Sequence, residues 1–393
     1  MHPSPTHRPP VSPGHRPVLG ILGGGQLAKM TALAAYPLGI SVAVLDRRAV
    51  PGEPIVGWRT VTGDWDDPDV LLEFARDVDV VSLENEFVAA DALAALEDEG
   101  HRLVPSSECI RLVQDKLVQK QTLSAAGLPL PAFRAVQHAE DVIDAARELG
   151  WPLVLKRRTL GYDGKGNATL RAAADLPAAW QKLGGDHNAL YVEQFCTFER
   201  EVAVIVTRAA GGDTVVYPVV DTVQRDHICH TVTAPARLAP AQAEQAADLG
   251  RRAAAAIQGV GSIGIEMFLM PDGALLINEL APRVHNSGHY SIEACLCSQF
   301  ENHARAVLGW PLGSPALRAP AAAMVNLLGA GDGPAMPDGL AEALAVPGAH
   351  VHIYGKERSV KSRKMGHVTA LGASIEEALA TAQRAAACLR FGA

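Results

Sequence analysis

The sequence has no excess of basic residues: 35 Lys and Arg stand against 43 Asp and Glu, a formal net charge of -8. That balance excludes a general nucleic-acid or anionic-membrane surface, while leaving room for a local anion site. No apolar run approaches the length of a bilayer span, so no membrane helix is expected. Cysteine is sparse, six in 393 residues, and the one close pair, Cys295-Leu-Cys297, has the spacing of neither a zinc knuckle nor a redox CxxC. With no secretory signal at the N-terminus, the thiols are expected to be reduced and the protein cytoplasmic. There is also no internal repeat. What remains is a chain long enough for two or three domains, 48% hydrophobic and 20% charged.

The clearest chemistry lies between Ser262 and Gly288. Two apolar β-forming runs (Ile263, Ile265, Phe268, Leu269 and Leu275, Leu276, Ile277) flank Asp272-Gly273, a strong hairpin signal. If Asp272 and Gly273 are the two loop residues, Glu266 and Glu279 face each other across the ladder. A four-residue loop makes them diagonal neighbours, still on one face. Opposed carboxylates repel, so a half-buried sheet that keeps both is expected to hold a cation between them, Mg²⁺ above all. The alternative is a solvated sheet face. Beyond Glu279, Pro282, Arg283, His285 and Asn286 crowd polar groups into a strand end, where α/β proteins place their chemistry.

Residues 1–16, rich in Pro and His, read as a disordered tail. A first domain, 17–113, opens with strand Val18 to Leu22, the turn Gly23-Gly24-Gly25, a helix from Gln26 to Tyr36 and strand Ser41 to Leu45, with Asp46 at its end. As G-x-G-x-x-A followed by an acid, this is a weak dinucleotide fingerprint, and its helix start serves a monophosphate equally well. Strand Val78 to Leu83 delivers Glu84 and Glu86. The second domain spans 114–311, with a small mobile subdomain at about 131–197. There Lys156-Arg157-Arg158 leads into Gly161-Tyr162-Asp163-Gly164-Lys165-Gly166-Asn167, a glycine-rich cationic flap suited to a triphosphate, or else a hairpin with a basic rim. It is not a Walker A loop. Strands are expected at Tyr191 to Phe195, Glu201 to Val206 and Tyr217 to Val220, and helices at Pro240 to Ile257 and from about Ser291 to Leu308. Residues 312–393 form a C-terminal domain behind a Pro- and Ala-containing linker at 312–320. It carries a dense basic run (Lys356, Arg358, Lys361, Arg363, Lys364) that points to an anion.

Together the segments GILGGGQLAKM (20–30), LENEF (83–87), LKRRTLGYDGKGN (155–167), INELAPRVHNSGHY (277–290) and RKMGHVT (363–369) resemble the ATP-grasp superfamily. Within it they resemble the N5-carboxyaminoimidazole ribonucleotide synthetase family of purine biosynthesis. The resemblance implies an α/β ATP-grasp fold behind a Rossmann-like domain, and carboxylation of 5-aminoimidazole ribonucleotide by bicarbonate at the expense of ATP. It implies that Lys116, Lys156 and the flap Gly161 to Asn167 contact ATP phosphates. Glu193, Gln194, Phe195 and Cys196 would line the adenine, Glu201 would hold the ribose with Gln224 near the nucleotide, and Asn278 and Glu279 would sit at the phosphates and metal. Glu266 and Glu279 match the Mg²⁺ ligands, with Mn²⁺ a substitute. The ribonucleotide would lie on Gly25, Gln26, Leu27 and Tyr162 with Glu84 or Glu86 nearby, its phosphate on Lys356, Arg363 and Lys364. Asp163, Lys165, Arg283, His285 and Asn286 would surround bicarbonate and the amine, with Asp163 or His285 as proton acceptor. A homodimer, and a mutase consuming the product, are implied as well. The chain departs from the pattern at Lys116 and Gln224, where arginine and histidine are common, and at Val360-Lys361-Ser362, where Arg-Pro-Gly is.

Rival readings are a formate-dependent glycinamide ribonucleotide transformylase, a biotin carboxylase, an NAD(P) dehydrogenase built on the Gly23 loop, and a non-catalytic nucleotide-binding regulator. The dehydrogenase leaves Glu266, Glu279 and the flap unexplained, and a regulator has no need of the carboxylate pair and lysines.

Overall fold

Alternating short strands and helices at the N-terminus build a four-stranded parallel sheet, as β-α repetition requires. Its order is Arg59–Thr62, Ser41–Asp46, Val18–Leu22, Val80–Leu83. The structure is a computed structural model that describes residues 14–48, 59–161 and 166–392. Residues 1–13 of the expected tail therefore lie outside the described residues. The last residues of that stretch are held in place: His15 Nε2 sits 3.0 Å from Asp79 and Arg16 Nε donates to the Gly39 carbonyl at 3.0 Å.

A second, antiparallel sheet runs Phe133–Val136, Leu190–Gln194, Leu153–Arg157, Asn167–Leu170. Helices Ala139–Leu149 and Leu176–Leu183 cover it through a core of Val142, Leu153, Leu155, Leu183 and Val192. The third sheet is the largest, nine strands, and every pairing in it is antiparallel. It starts at Leu275–Ala281 and Gly261–Leu269, continues through Arg200–Arg208, Val220–Arg225 and Ile228–Ala234, and ends with Ala321–Leu328, Lys364–Gly372 and Ala349–Ile353. Thr214–Val216 pairs with Arg200–Arg208 beside this path. The C-terminal segment thus finishes a sheet that the central segment begins, with Thr231 opposite Val325 at the seam. The 312–320 stretch is pinned to the segment before it by Cys297 N–H on Ser314 O and Arg318 N–H on Ala294 O, at 2.9 and 2.7 Å.

Two expected elements are corrected. Tyr217 to Val219 is not a strand; it joins Thr214–Val216 to Val220–Arg225, because the Tyr217 ring turns inward and donates its hydroxyl to the Cys297 carbonyl at 3.0 Å. The helix expected from Ser291 to Leu308 is two, Ser291–Ala294 and Gln299–Leu308. The Cys297 carbonyl is held by Tyr217, Cys295 bridges to Leu317, and Ser298 restarts the helix by accepting the Glu301 N–H at 3.1 Å. Gln299–Leu308 then packs Ala304, Val307 and Leu308 against Leu19, Ile21 and Val42 of the first sheet. His303 on that helix reaches both sheets, since its Nδ1 accepts the Ser262 N–H and its Nε2 meets Ser82 Oγ, each at 3.1 Å.

Candidate active site

The hairpin that carries the two glutamates closes differently from the simplest expectation. Met270 N–H donates to Ala274 O and Gly273 N–H to Met270 O, both at 2.8 Å, leaving Pro271, Asp272 and Gly273 as a three-residue loop. Gly273 has φ +86°, the left-handed position such a loop requires. From that loop alone Glu266 would oppose Asn278. A β-bulge intervenes: Met267 pairs with Ile277 but Glu266 pairs with Glu279, so Asn278 is the extra residue. Ile277 and Leu280 both lie in the apolar core although three positions separate them, so one polar residue more than strict alternation allows fits between them. The bulge is what turns Asn278 and Glu279 together toward the site. The expected pairing is correct, and its expected cause, a two-residue loop, is not.

Burial and the neighbouring Glu279 and Glu201 raise the proton affinity of Glu266. Burial pushes Glu279 the same way, but Lys116 overrides it by ion pairing directly with Glu279, which lies below the ordinary carboxylate range. Lys116 opens helix Lys116–Ala125, capped by Asp115, whose carboxylate accepts the Leu117 and Val118 N–H groups at 2.9 and 3.2 Å. Arg158 clamps the same Asp115, its Nη2 2.5 Å from Oδ2, and Arg157 Nε donates to the Leu183 carbonyl at 2.9 Å. Two of the three basic residues before the flap are therefore structural ties. Lys156, the third, ion pairs with the buried Glu193. Glu193 also faces Lys120 at 2.7 Å, a lysine that the sequence reading passed over; its signal was the spacing from Lys116, one helical turn. Gln119 was missed too: its side chain bonds Leu280 through both N–H and C=O, at 3.0 and 3.2 Å, and so fixes the strand just after Glu279.

Of the flap, Tyr162, Asp163, Gly164 and Lys165 lie outside the described residues. Gly166 takes φ +91°, and Asn167 begins the strand that pairs with Lys156. Gly161 borders an open cleft of about 180 Å³ that also reaches Glu86, Lys116, Thr159 and Leu280. A second cavity, lined by His230, Leu328, Gln383 and Phe391, contains none of the expected site residues. On the adenine side, the Gln194 and Phe195 N–H groups bond Ala132 O and Pro152 O at 2.8 and 3.3 Å, and Cys196 Sγ lies 3.8 Å from Gln194 O. Glu201 sits beside Phe268 in the ladder and bonds Gln224; burial raises its proton affinity.

The glycine turn after the first strand answers its own N–H groups. Gly24 N–H donates to Asp46 Oδ2 at 2.8 Å, and Gly25 and Leu27 N–H groups donate to Glu84 at the start of helix Gln26–Ala35. The anion at this helix start is thus a side chain of the protein, and burial pushes its carboxyl up to about 6. Glu86 and Arg283 form a two-pronged ion pair, Nε–Oε2 2.5 Å and Nη2–Oε1 3.0 Å. Burial, together with Arg283 and Lys364, pushes His285 down to about 3; its Nε2 lies 3.6 Å from Glu266 and its Nδ1 2.9 Å from Ser287 Oγ. Asn286 exchanges two side-chain amide bonds with Asn326, at 3.0 and 2.7 Å. From the basic run, Lys356 acts electrostatically on Glu84 and Lys364 on Glu266 and His285, while Arg363 Nη1 donates to the Arg358 carbonyl at 3.2 Å. Ion pairs and electrostatic coupling therefore link Glu84 and Glu86 at the end of the first sheet with Glu266, Glu279 and Arg283 and with the C-terminal lysines, and of the residues so linked Glu86 and Lys116 line the cleft.

Comparison with known proteins agrees with this geometry. The ribonucleotide synthetase preATP-grasp domain matches residues 17–114, the ATP-grasp domain 121–300 and the phosphoribosylaminoimidazole carboxylase C-terminal domain 322–381. An N5-carboxyaminoimidazole ribonucleotide synthase of Synechococcus elongatus is 42% identical over 89% of this chain and 88% of its own. A phosphoribosylaminoimidazole carboxylase of Schizosaccharomyces pombe is 41% identical over 92% of this chain, which spans 66% of that protein's length. A solved structure of the Aspergillus clavatus synthase, described as a complex with ADP and 5-aminoimidazole ribonucleotide, superposes with a TM-score of 0.86 at 36% identity, covering 94% of this chain and 98% of the other. On these grounds the chain belongs to the N5-carboxyaminoimidazole ribonucleotide synthase family of ATP-grasp ligases.

Proposed function

We propose that the protein carboxylates the 5-amino group of 5-aminoimidazole ribonucleotide with bicarbonate, cleaving ATP to ADP and phosphate, in de novo purine synthesis. The observation that carries this reading is the pair Glu266 and Glu279, opposed in the ladder with a single lysine, Lys116, ion paired to one of them. An all-oxygen donor set suits a hard divalent cation, and such a cation offsets both the burial and the repulsion from Glu279 that raise the proton affinity of Glu266. Glu266 and Glu279, with Asn278, would hold Mg²⁺. Among the described residues no cluster of three or more His, Cys, Asp or Glu forms a metal cage, so the remaining ligands would be phosphate oxygens and water. When bound, the ion would neutralise charge on the triphosphate.

Bicarbonate is a poor electrophile. Transfer of the γ-phosphoryl group to one of its oxygens breaks the bond to the β-phosphate and forms carboxyphosphate, with Lys116 and Lys156 beside the developing charge. The amine then attacks the carboxyl carbon, directly or after CO₂ is released; phosphate leaves and the nitrogen gives up a proton. His285 is one acceptor the family resemblance offers, although its Nδ1 already accepts the Ser287 N–H at 3.4 Å and burial makes it a weak base. Asp163 in the flap is the other acceptor, and the flap's task is to keep water from carboxyphosphate. Arg283 is the bicarbonate clamp, Glu84 and Glu86 face the ribonucleotide, and Lys356, Arg363 and Lys364 take its phosphate. The N-terminal unit 17–113, the central unit 114–311 and the C-terminal unit 312–393 each supply part of this site. We take the protein to be a cytoplasmic homodimer that hands its product to a mutase; no helix among the described residues is long and apolar enough to cross a membrane.

The test is ADP release with MgATP, comparing 5-aminoimidazole ribonucleotide plus bicarbonate against glycinamide ribonucleotide plus formate. Release with the first pair alone, abolished by Glu279→Gln, supports the assignment. Release with the second pair overturns it in favour of the transformylase, and ATP binding without turnover favours the regulator.

A further inference from the structure

Lys120 is 2% exposed, and burial draws down its affinity for its proton. Lys156, a second cation close by, draws it down further. A buried lysine beside another cation calls for a compensating role. Its partners show what that role is. Lys120 Nζ lies 2.7 Å from Glu193 Oε1, the other oxygen of Glu193 ion pairs with Lys156, and Nζ lies 3.5 Å from the carbonyl of Ile277, the residue before Asn278. Glu193 and Lys156 belong to the small antiparallel sheet, Ile277 to the large one. Lys120 therefore bridges the two walls between which the reading above places the nucleotide.

The charges decide the consequence. Glu193 alone with Lys156 makes a neutral pair with little left for an anion. Lys120 adds a second positive charge to one carboxylate, so the triad carries a surplus of one. We propose that Lys120 is a positioning residue for the nucleotide phosphates: by sharing Glu193 it leaves the Lys156 ammonium electrostatically available to them, without touching the nucleotide itself. This rests on the ATP-binding reading and names a residue that the family resemblance did not supply.

Binding of ADP and of adenosine to the purified protein, measured by calorimetry or ligand-observed NMR, tests it through the ratio of the two affinities. Adenosine reports the shape of the pocket and ADP adds the phosphates. Lys120→Met should lower the ADP-to-adenosine ratio by about tenfold. Adding Glu193→Gln to it restores the surplus charge and should bring the ratio back to within about threefold of the starting value, a rescue that a merely structural lysine does not predict. A ratio unchanged in Lys120→Met, or unrescued in the double variant, overturns the proposal. If Lys120→Met does not fold, Glu193→Gln alone carries the test with opposite sign: the ratio should rise, and a fall overturns the proposal. Absence of ADP binding by the unaltered protein would instead refute the nucleotide reading on which it rests.

Discussion

Arg283 grips Glu86 with two parallel hydrogen bonds, joining the strand end of the first sheet to the loop that follows the Glu266–Glu279 hairpin. A guanidinium already held flat by one carboxylate is pre-aligned to meet a second planar anion with its remaining N–H groups, one of which, on Nη1, donates to the Val284 carbonyl at 3.3 Å. Replacing Arg283 with Lys keeps the charge and loses the fork. We expect kcat/KM for bicarbonate to fall by at least about tenfold while KM for ATP changes less than about threefold. Steady-state kinetics with each substrate varied in turn checks this, and an unaltered bicarbonate dependence removes Arg283 from the clamp.

The bulge at Asn278 gives an unusual deletion test. Because Asn278 is the one residue out of step, removing it keeps Ile277 and Leu280 facing the core and leaves a carboxylate opposite Glu266. Deleting Leu276 instead pushes Leu275 or Ile277 out of the core, since a one-residue slip exchanges the faces of a strand. The first variant should melt cooperatively, close to the unaltered protein, with impaired ADP release; the second should not fold cooperatively. Circular dichroism melts of the two decide it, and loss of folding in the Asn278 deletion speaks against the bulge.

Much of this was legible in the sequence. The apolar runs around Asp272-Gly273, the glycine turn at Gly23 and the polar cluster after Glu279 each announce themselves locally. What was not legible depends on contacts across the fold. The break between Ser291–Ala294 and Gln299–Leu308 is set by Tyr217, eighty residues upstream of Cys297, so helical periodicity alone reads through it. Arg157 and Arg158 look like Lys156 in sequence, and only Leu183 and Asp115 reveal them as ties. Lys120 goes unmarked in the sequence because the carboxylate that pairs with it, Glu193, lies more than seventy residues further along the chain in another sheet.

His303 offers a pH test remote from the cleft. Its Nδ1 accepts the Ser262 N–H, so the neutral ring carries its proton on Nε2, toward Ser82, and burial pushes it down to about 4. The unfolded chain takes up this proton near 6.5, so the stabilisation is fully present above that pH and is lost as pH falls toward 4. The span corresponds to roughly 3 kcal/mol. Urea unfolding at pH 7.5 and 4.5 should show a smaller pH difference, by about 2–3 kcal/mol, in His303→Asn than in the unaltered protein. Equal differences in both would assign the acid sensitivity to other groups.

Gly25 has φ -83°, which any residue can adopt, yet a Cβ there would stand 2.2 Å from Glu84 Oε1. Gly25→Ala should therefore destabilise by about 1–3 kcal/mol through displacement of a buried, hydrogen-bonded carboxylate, and raise KM for the ribonucleotide. Glu84→Ala removes the clash together with the acceptor of the Gly25 and Leu27 N–H groups, so thermal unfolding should show Gly25→Ala costing much less in a Glu84→Ala background than in the unaltered protein. An equal cost in both backgrounds would place the conflict elsewhere in the turn.

The seam at Thr231 and Val325 has a practical corollary for anyone dividing this chain. A fragment ending near residue 311 would strip Ile228–Ala234 of its neighbour and leave a row of unpaired main-chain donors and acceptors along a newly made sheet margin. Such a margin invites another copy to pair with it, so the fragment should be recovered as aggregate or swapped oligomer. The last eighty residues, whatever they contribute to substrate, are also the selvedge that keeps the sheet from unravelling into its neighbours.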